Sequence, residues 1–192
     1  MTQGAIMKVT ANGTNTSPVL RGVWISERLL GVDIPPPPEN VPAVEPDIRG
    51  AKTIREMLAK HKSTDSCAAC HVKIDPPGFA LENFDPSGRW RDRYLSVVKG
   101  RRSRGAQIDS GFEMPDGTRF DNLSQFQQLV LNDKPALARN VVQKLLTYGT
   151  GAACGFGDRN DIEKIVNRCK ATDFGFRSLL TEVVASETFR IK

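Results

Sequence analysis

Apolar residues recur at helical spacing along most of the chain, and the punctuation between them is rich in proline and glycine. Ser17-Pro18 followed by VLRGVWISERLLG reads as a capped helix, with Ser17 as the cap, Pro18 in the first turn and Gly31 as the stop. Ile54, Met57, Leu58 and His61 fall at i, i+3, i+4 and i+7, which predicts a helix over residues 52–61 with one apolar face. A third, short helix is expected to open at residue 67 and to stop at Pro76 and Pro77. Farther on, Asp121 is placed to cap SQFQQLVL. Leu137, Val141, Leu145 and Tyr148 make one stripe, and Ile162, Ile165, Val166 and Cys169 another. Phe176, Leu179, Leu180, Val183 and Val184 form the last. One stretch has strand character: residues 108–113 and 118–120 flank MPDG, where Asp116-Gly117 is a good hairpin turn. The pattern predicts a mainly α protein with one short β-hairpin.

Two stretches break the pattern. In residues 35–46, PPPPENVPAVEP, the consecutive prolines fix φ and lack N–H donors, so the stretch reads as an extended strap. Residues 98–106, VKGRRSRGA, are basic and glycine-punctuated. They predict a linker over 99–106 between a first domain, 1–98, and a C-terminal helical domain, 107–192. Lys99, Arg101, Arg102 and Arg104 read either as a solvated loop or as a docking patch for an acidic electron partner.

Composition narrows the class. The chain has 192 residues, 39% hydrophobic and 26% charged, with a net charge of +5, which fits a globular protein. No apolar run approaches a membrane span, and the charge alone does not indicate a nucleic-acid partner. The opening MTQGAIMKVTANGTNTSPV has neither the basic nor the apolar region of a secretion signal. Four cysteines, in two sets, are too few for a disulfide scaffold.

The chemistry concentrates at residues 67–71, CAACH. On a helical turn Cys67 and Cys70 share a face and His71 projects just beyond them, so two thiols can reach two porphyrin vinyl groups while an imidazole reaches the iron. C-x-x-C-H is the signature of such covalent haem attachment. A structural zinc site would need four Cys or His ligands, and His61, Cys154 and Cys169 supply no second C-x-x-C pair. A redox dithiol would need a strand-to-helix junction, and nothing β-rich precedes Cys67. Haem c, one per chain, is therefore the expected cofactor, with His71 as proximal ligand. The Asp75-Pro76-Pro77 stretch offers rigid backbone carbonyls as acceptors for the second ring nitrogen. Phe79, Leu81 and Phe84 offer apolar wall, or ordinary core.

The distal ligand stays open between two readings. Six residue steps separate His61 from Cys67, at most about 20 Å extended, so His61 can fold back over a haem. It can equally cap its own helix. Met114, in the hairpin, is the competitor, and a thioether there would raise the potential. Met57 shares the His61 face and reads as packing. No Ser/His/Asp set, phosphate loop or acid–base pair stands out, and the glycines of YGTGAACGFGD read as a helix C-cap and loop.

RGVWISERLLG, the PPPP strap, CAACHVKIDPPGFALENFDPSGRWR, MPDGTRFD, KLLTYGTG and FRSLLTEVVASETFR occur in an order that resembles the C-terminal part of large planctomycete-type cytochrome c-like proteins. Nearly the whole chain is covered, and residues 67–91 are the most specific part. The resemblance implies a cytochrome c-like, haem-binding helical segment followed by a small helical domain. It also implies a periplasmic or cell-surface setting, and a chain that is a segment of a longer exported protein. Electron transfer to a redox partner, or to other domains of the parent chain, is the expected function. A peroxidase-like haem enzyme with an open distal site is the alternative, and a zinc-binding or structural module the second. Family members often carry a histidine at the place of His61 and a leucine at that of Met114. A disulfide between Cys154 and Cys169 is compatible with export.

Overall fold

The computed structural model describes residues 1–13, 15–36, 53–61, 65–98 and 100–191. They are mainly helical, with two small antiparallel two-stranded sheets. The chain divides into two compact units, Met1–Glu27 with Val32–Gln127, and Arg28–Gly31 with Gln128–Lys192. The division thus falls after Gln127, and the basic stretch expected to be a linker lies inside the first unit. Residues 37–46 of the proline strap lie outside the described residues.

In the first unit, α1 (Gly4–Val9), which the sequence reading did not anticipate, precedes α2 (Pro18–Ile25). The Ser17 hydroxyl accepts from the Leu20 amide at 3.3 Å and Pro18 occupies the first turn, as the cap chemistry predicts. Past Ile25 the helix widens into a π-helical turn, Ser26–Leu30, and Gly31 ends it at φ 71°.

The dominant packing of the first unit is α2 against α4 (Asp65–Phe79). Two glycines make it. A Cβ on Gly22 would lie 1.9 Å from the Ile74 carbonyl oxygen, and one on Gly78 would lie 2.0 Å from that of Pro18. The helices therefore run antiparallel, backbone against backbone.

α4 does not stop at its prolines. Pro76 and Pro77 lie within it, and the Ala80 amide still donates to the Pro76 carbonyl at 3.1 Å. A helical proline removes the donor for the carbonyl four residues back. Here those carbonyls belong to Val72 and Lys73, which are exposed to water, while burial of Gly78 and Phe79 holds the following turn in place.

β1 (Arg93–Val98) and β2 (Arg101–Gln107) form a hairpin where a linker was expected, pairing Leu95 with Arg104 and Val97 with Arg102 across a bulge near Arg93. β2, RRSRGAQ, is exposed over its first four residues, so no alternation of polar and apolar positions marks it as a strand. The anticipated hairpin is present but shorter, β3 (Phe112–Glu113) pairing with β4 (Arg119–Phe120). Its turn has Gly117 at φ 85°, and the Asp116 carboxylate accepts from the Thr118 amide at 2.9 Å. α5 (Leu123–Leu131) follows. Its cap is Asn122 rather than Asp121: Asn122 Oδ1 accepts from the Gln125 amide, and the Gln125 side-chain oxygen accepts from the backbone amide of Asp121.

The second unit packs α6 (Lys134–Thr150), α7 (Arg159–Arg168), α8 (Phe176–Ala185) and α9 (Glu187–Ile191) around Val142, Leu146, Ile162, Ile165, Val166, Cys169, Leu179 and Val183. The Asp133 carboxylate caps α6 and Gly151 ends it at φ 71°. The α7 stripe is buried as its spacing predicts. The others are shifted. α6 buries Ala138, Val142 and Leu146, leaving Leu137, Val141 and Leu145 half-covered and Tyr148 90% exposed. α8 turns Leu179 and Val183 inward and Phe176, Leu180 and Val184 to solvent. Ser186 breaks the last predicted helix into α8 and α9.

Candidate functional site

Cys67, Cys70 and His71 of CAACH all lie on α4, which begins at Asp65. The helix puts positions 67, 70 and 71 on the side that also carries 74 and 78, the side turned to α2. Cys70 is a half-buried thiol and His71 is buried. The side chains of Cys67 and His61 lie outside the described residues.

His71 Nδ1 lies 2.7 Å from Asp75 Oδ1, one helical turn on, and Asp75 is fully buried. The imidazole acceptor is thus a side-chain carboxylate and not a backbone carbonyl of the Asp75-Pro76-Pro77 stretch. The i, i+4 spacing was the signal for it in the sequence. With Nδ1 donating to Asp75, Nε2 is the ring nitrogen on which metal coordination falls. Two thiols three residues apart on one helix, followed by an imidazole fixed in that tautomer, form a donor set that fits haem c.

α3 (Ile54–His61) is held beside α4 by Arg55. Its guanidinium stands 4.5 Å from the Phe79 ring centroid and 4.7 Å from that of Phe112. It donates to the carbonyls of Asp109 and Gly111 and pairs with the Asp109 carboxylate at 3.3 Å. Arg55 lies in the first turn of α3, and Phe79 closes α4. Phe79 stacks on Phe112 at 5.5 Å and Leu81 is fully buried, so both are packed in this unit's interior. Met114 is half-buried in the β3–β4 turn, its amide donating to Thr118 at 2.8 Å.

Just beyond α4 lies a buried polar cluster that periodicity could not reveal. Arg21, on α2, donates to the Leu81 carbonyl at 2.7 Å and pairs with Glu82. Glu82 also accepts from Thr16 and, at 3.0 Å, from Arg91, which leans over Tyr94. Burial pushes the Glu82 carboxyl up, against the opposing pull of Arg21, Thr16, Arg91 and Tyr94. It also pulls Arg21 down, and together with Glu82 it raises the Tyr94 phenol. Such a network ties α2 to the segment after α4, because removing one partner would strand a buried charge.

The second pair of cysteines belongs to the other unit. Cys154 and Cys169 are separate thiols. Cys154 approaches the Gln143 carbonyl at 3.7 Å, and burial raises the Cys169 thiol. Among the described residues no group of three or more His, Cys, Asp or Glu side chains could hold a metal ion. CAAC lies inside a helix whose preceding described element is also a helix, which is not the setting of a thioredoxin-like dithiol.

Residues 1–94 match the family described as Protein of unknown function (DUF1588), and residues 116–189 match Protein of unknown function (DUF1585). The chain is a pair of adjacent domains of unknown function. These are the C-terminal domains of planctomycete-type cytochrome proteins. The first match takes in α1 to α4 and the CAACH turn, and the second takes in α5 to α8. No curated protein and no solved structure matches. No described helix is long and apolar enough to cross a membrane.

Proposed function

We propose that α4 carries one covalent haem c and that the chain transfers electrons as the C-terminal part of a larger exported protein. The observation that carries this reading is CAACH on one helix, with a buried His71 whose Nδ1 is held by the Asp75 carboxylate. Cys67 and Cys70 form the thioethers and His71 is the proximal ligand. Such a group supplies one-electron chemistry when bound. The chain's own residues orient the imidazole, exclude water from it through burial, and pack Phe79 and Leu81 beyond it. Attachment of haem c belongs to the periplasm or cell surface, which sets the expected localisation.

His61 is the proposed distal ligand, supported by its place at the end of α3, six residue steps before Cys67. Met114 is the second choice. Visible spectra of the exported protein, oxidised and reduced, test the reading. Retained haem with a sharp low-spin ferrous spectrum is expected, and His61→Ala is expected to turn it high-spin. A low-spin spectrum unchanged in His61→Ala would move the assignment to Met114. A high-spin spectrum in the unsubstituted chain would favour the peroxidase-like alternative. Folded, colourless protein binding zinc would overturn haem altogether.

The proposed redox partner is acidic, in another protein or another domain of the parent chain. The β1–β2 hairpin has no Asp or Glu from Arg93 to Gln107. It exposes Arg93, Arg101, Arg102 and Arg104 around an exposed Leu95. Among the described residues no ion pair engages these arginines. Changing Arg101, Arg102 and Arg104 together to glutamine should slow haem reduction by an acidic donor protein about tenfold at low salt. Reduction by a small neutral donor should be unaffected. Stopped-flow rates over a salt series check this, and equal slowing with both donors would refute a docking role.

A further inference from the structure

We propose that Asp75 is the positioning residue that makes His71 an electron-rich axial ligand and so sets a low potential for this chain's haem. The inference rests on the haem reading above. His71 and Asp75 lie one turn apart on α4, 2.7 Å from nitrogen to oxygen, and Asp75 is fully buried. That distance is within the range of a charge-assisted hydrogen bond. A backbone carbonyl in the same place would fix the ring equally well but would bring only a dipole. A carboxylate brings a formal negative charge, and burial strengthens its hold on the imidazole.

The consequence follows from charge balance. An acceptor on Nδ1 raises the basicity of the ligating nitrogen. Oxidation from ferrous to ferric removes one electron and leaves one more positive charge at the iron. A buried anion one imidazole away stabilises the oxidised state more than the reduced one, which lowers the potential. The chain adds rigidity to this arrangement. Asp75 is followed by two buried prolines, and α4 is locked against α2 on either side of it, at Ile74 and Gly78.

Asp75→Asn separates charge from orientation, since the amide oxygen keeps an acceptor at the same reach without the charge. The experiment is a spectroelectrochemical titration of the haem-loaded chain, exported in a host with cytochrome c maturation, for the unsubstituted, Asp75→Asn and Asp75→Glu forms. Asp75→Asn should shift the one-electron equilibrium at least tenfold toward the ferrous state, a rise of about 59 mV. Haem content should be unchanged, and Asp75→Glu should lie closer to the unsubstituted protein. Full haem loading with the same potential in Asp75→Asn would overturn the proposal and leave the haem reading standing. An unsubstituted chain without haem would instead strike the haem reading. If Asp75→Asn does not fold, the His71 Nδ1 proton of the unsubstituted ferrous protein decides by NMR. A downfield, slowly exchanging proton is expected, and exchange at the solvent rate would overturn the proposal.

Discussion

Exchanging Cys67 and Cys70 together for serine abolishes covalent haem in the exported chain: the protein loses its haem stain on a denaturing gel and releases any pigment into acidified organic solvent. The expectation follows from what each residue does on α4. Serine keeps the size and the helix but cannot form a thioether, so the attachment chemistry is removed with little disturbance of packing. Each single substitution should leave one link, with haem retained at reduced yield and a shifted ferrous band. His71→Gly acts differently, since both thioethers remain while the proximal ligand is lost. Its expected result is pigment that stays covalently bound but changes spin state. Helical content, followed by circular dichroism, should be close to unsubstituted in all four forms. Haem surviving denaturation in the double serine chain would sink the assignment, because no other paired thiols stand near His71 in the sequence.

The parts of this molecule that were legible beforehand are those whose physics is local. Ser17 and Pro18 announce α2, Asp116-Gly117 announces the β3–β4 turn, and the spacing of Ile162, Ile165 and Val166 announces the buried face of α7. CAACH is legible because its meaning depends on five consecutive residues. What the sequence concealed depends on partners far along the chain. Pro76 and Pro77 read as a stop, and only the burial of Gly78 and Phe79 against α2 and Phe112 keeps the helix going. RRSRGAQ reads as a loop because successive residues at the start of β2 all meet water, so pairing with β1 leaves no alternation to detect. Tyr148 and Phe176 continue apolar stripes in sequence, yet the neighbouring helices of the second unit cover only part of each arc. Arg21 and Glu82 are polar residues that no hydrophobic pattern would place inside. They are 61 positions apart and pair with one another only once α2 and α4 have met.

That meeting of α2 and α4 carries the largest stability effect to be expected of a single methyl group. Gly22→Ala should destabilise the first unit by about 3 kcal/mol, the upper end of what overpacking usually costs. Two effects oppose each other. Alanine is the better helix former by about 1 kcal/mol in a helix interior. Against that, its Cβ would lie 1.9 Å from the Ile74 carbonyl oxygen and 2.8 Å from the carbonyl carbon. The obstacle is backbone inside a helix, with no rotamer to turn aside, so relief requires the two helices to part. The steric term wins. Gly78→Ala meets the Pro18 carbonyl oxygen at 2.0 Å and should behave alike, whereas Gly4→Ala comes no nearer than 3.3 Å to any atom and should be close to neutral. Urea unfolding followed by tryptophan fluorescence measures this selectively, since Trp24 and Trp90 both belong to the first unit. The consequence reaches the proposed site, because the side of α4 that carries positions 67, 70 and 71 is the side these glycines press against α2. An alanine that parts the helices should therefore lower haem retention along with stability. A Gly22→Ala chain that unfolds at the unsubstituted urea concentration would mean that α2 yields without cost, and α2 could not then be what holds the CAACH turn in place.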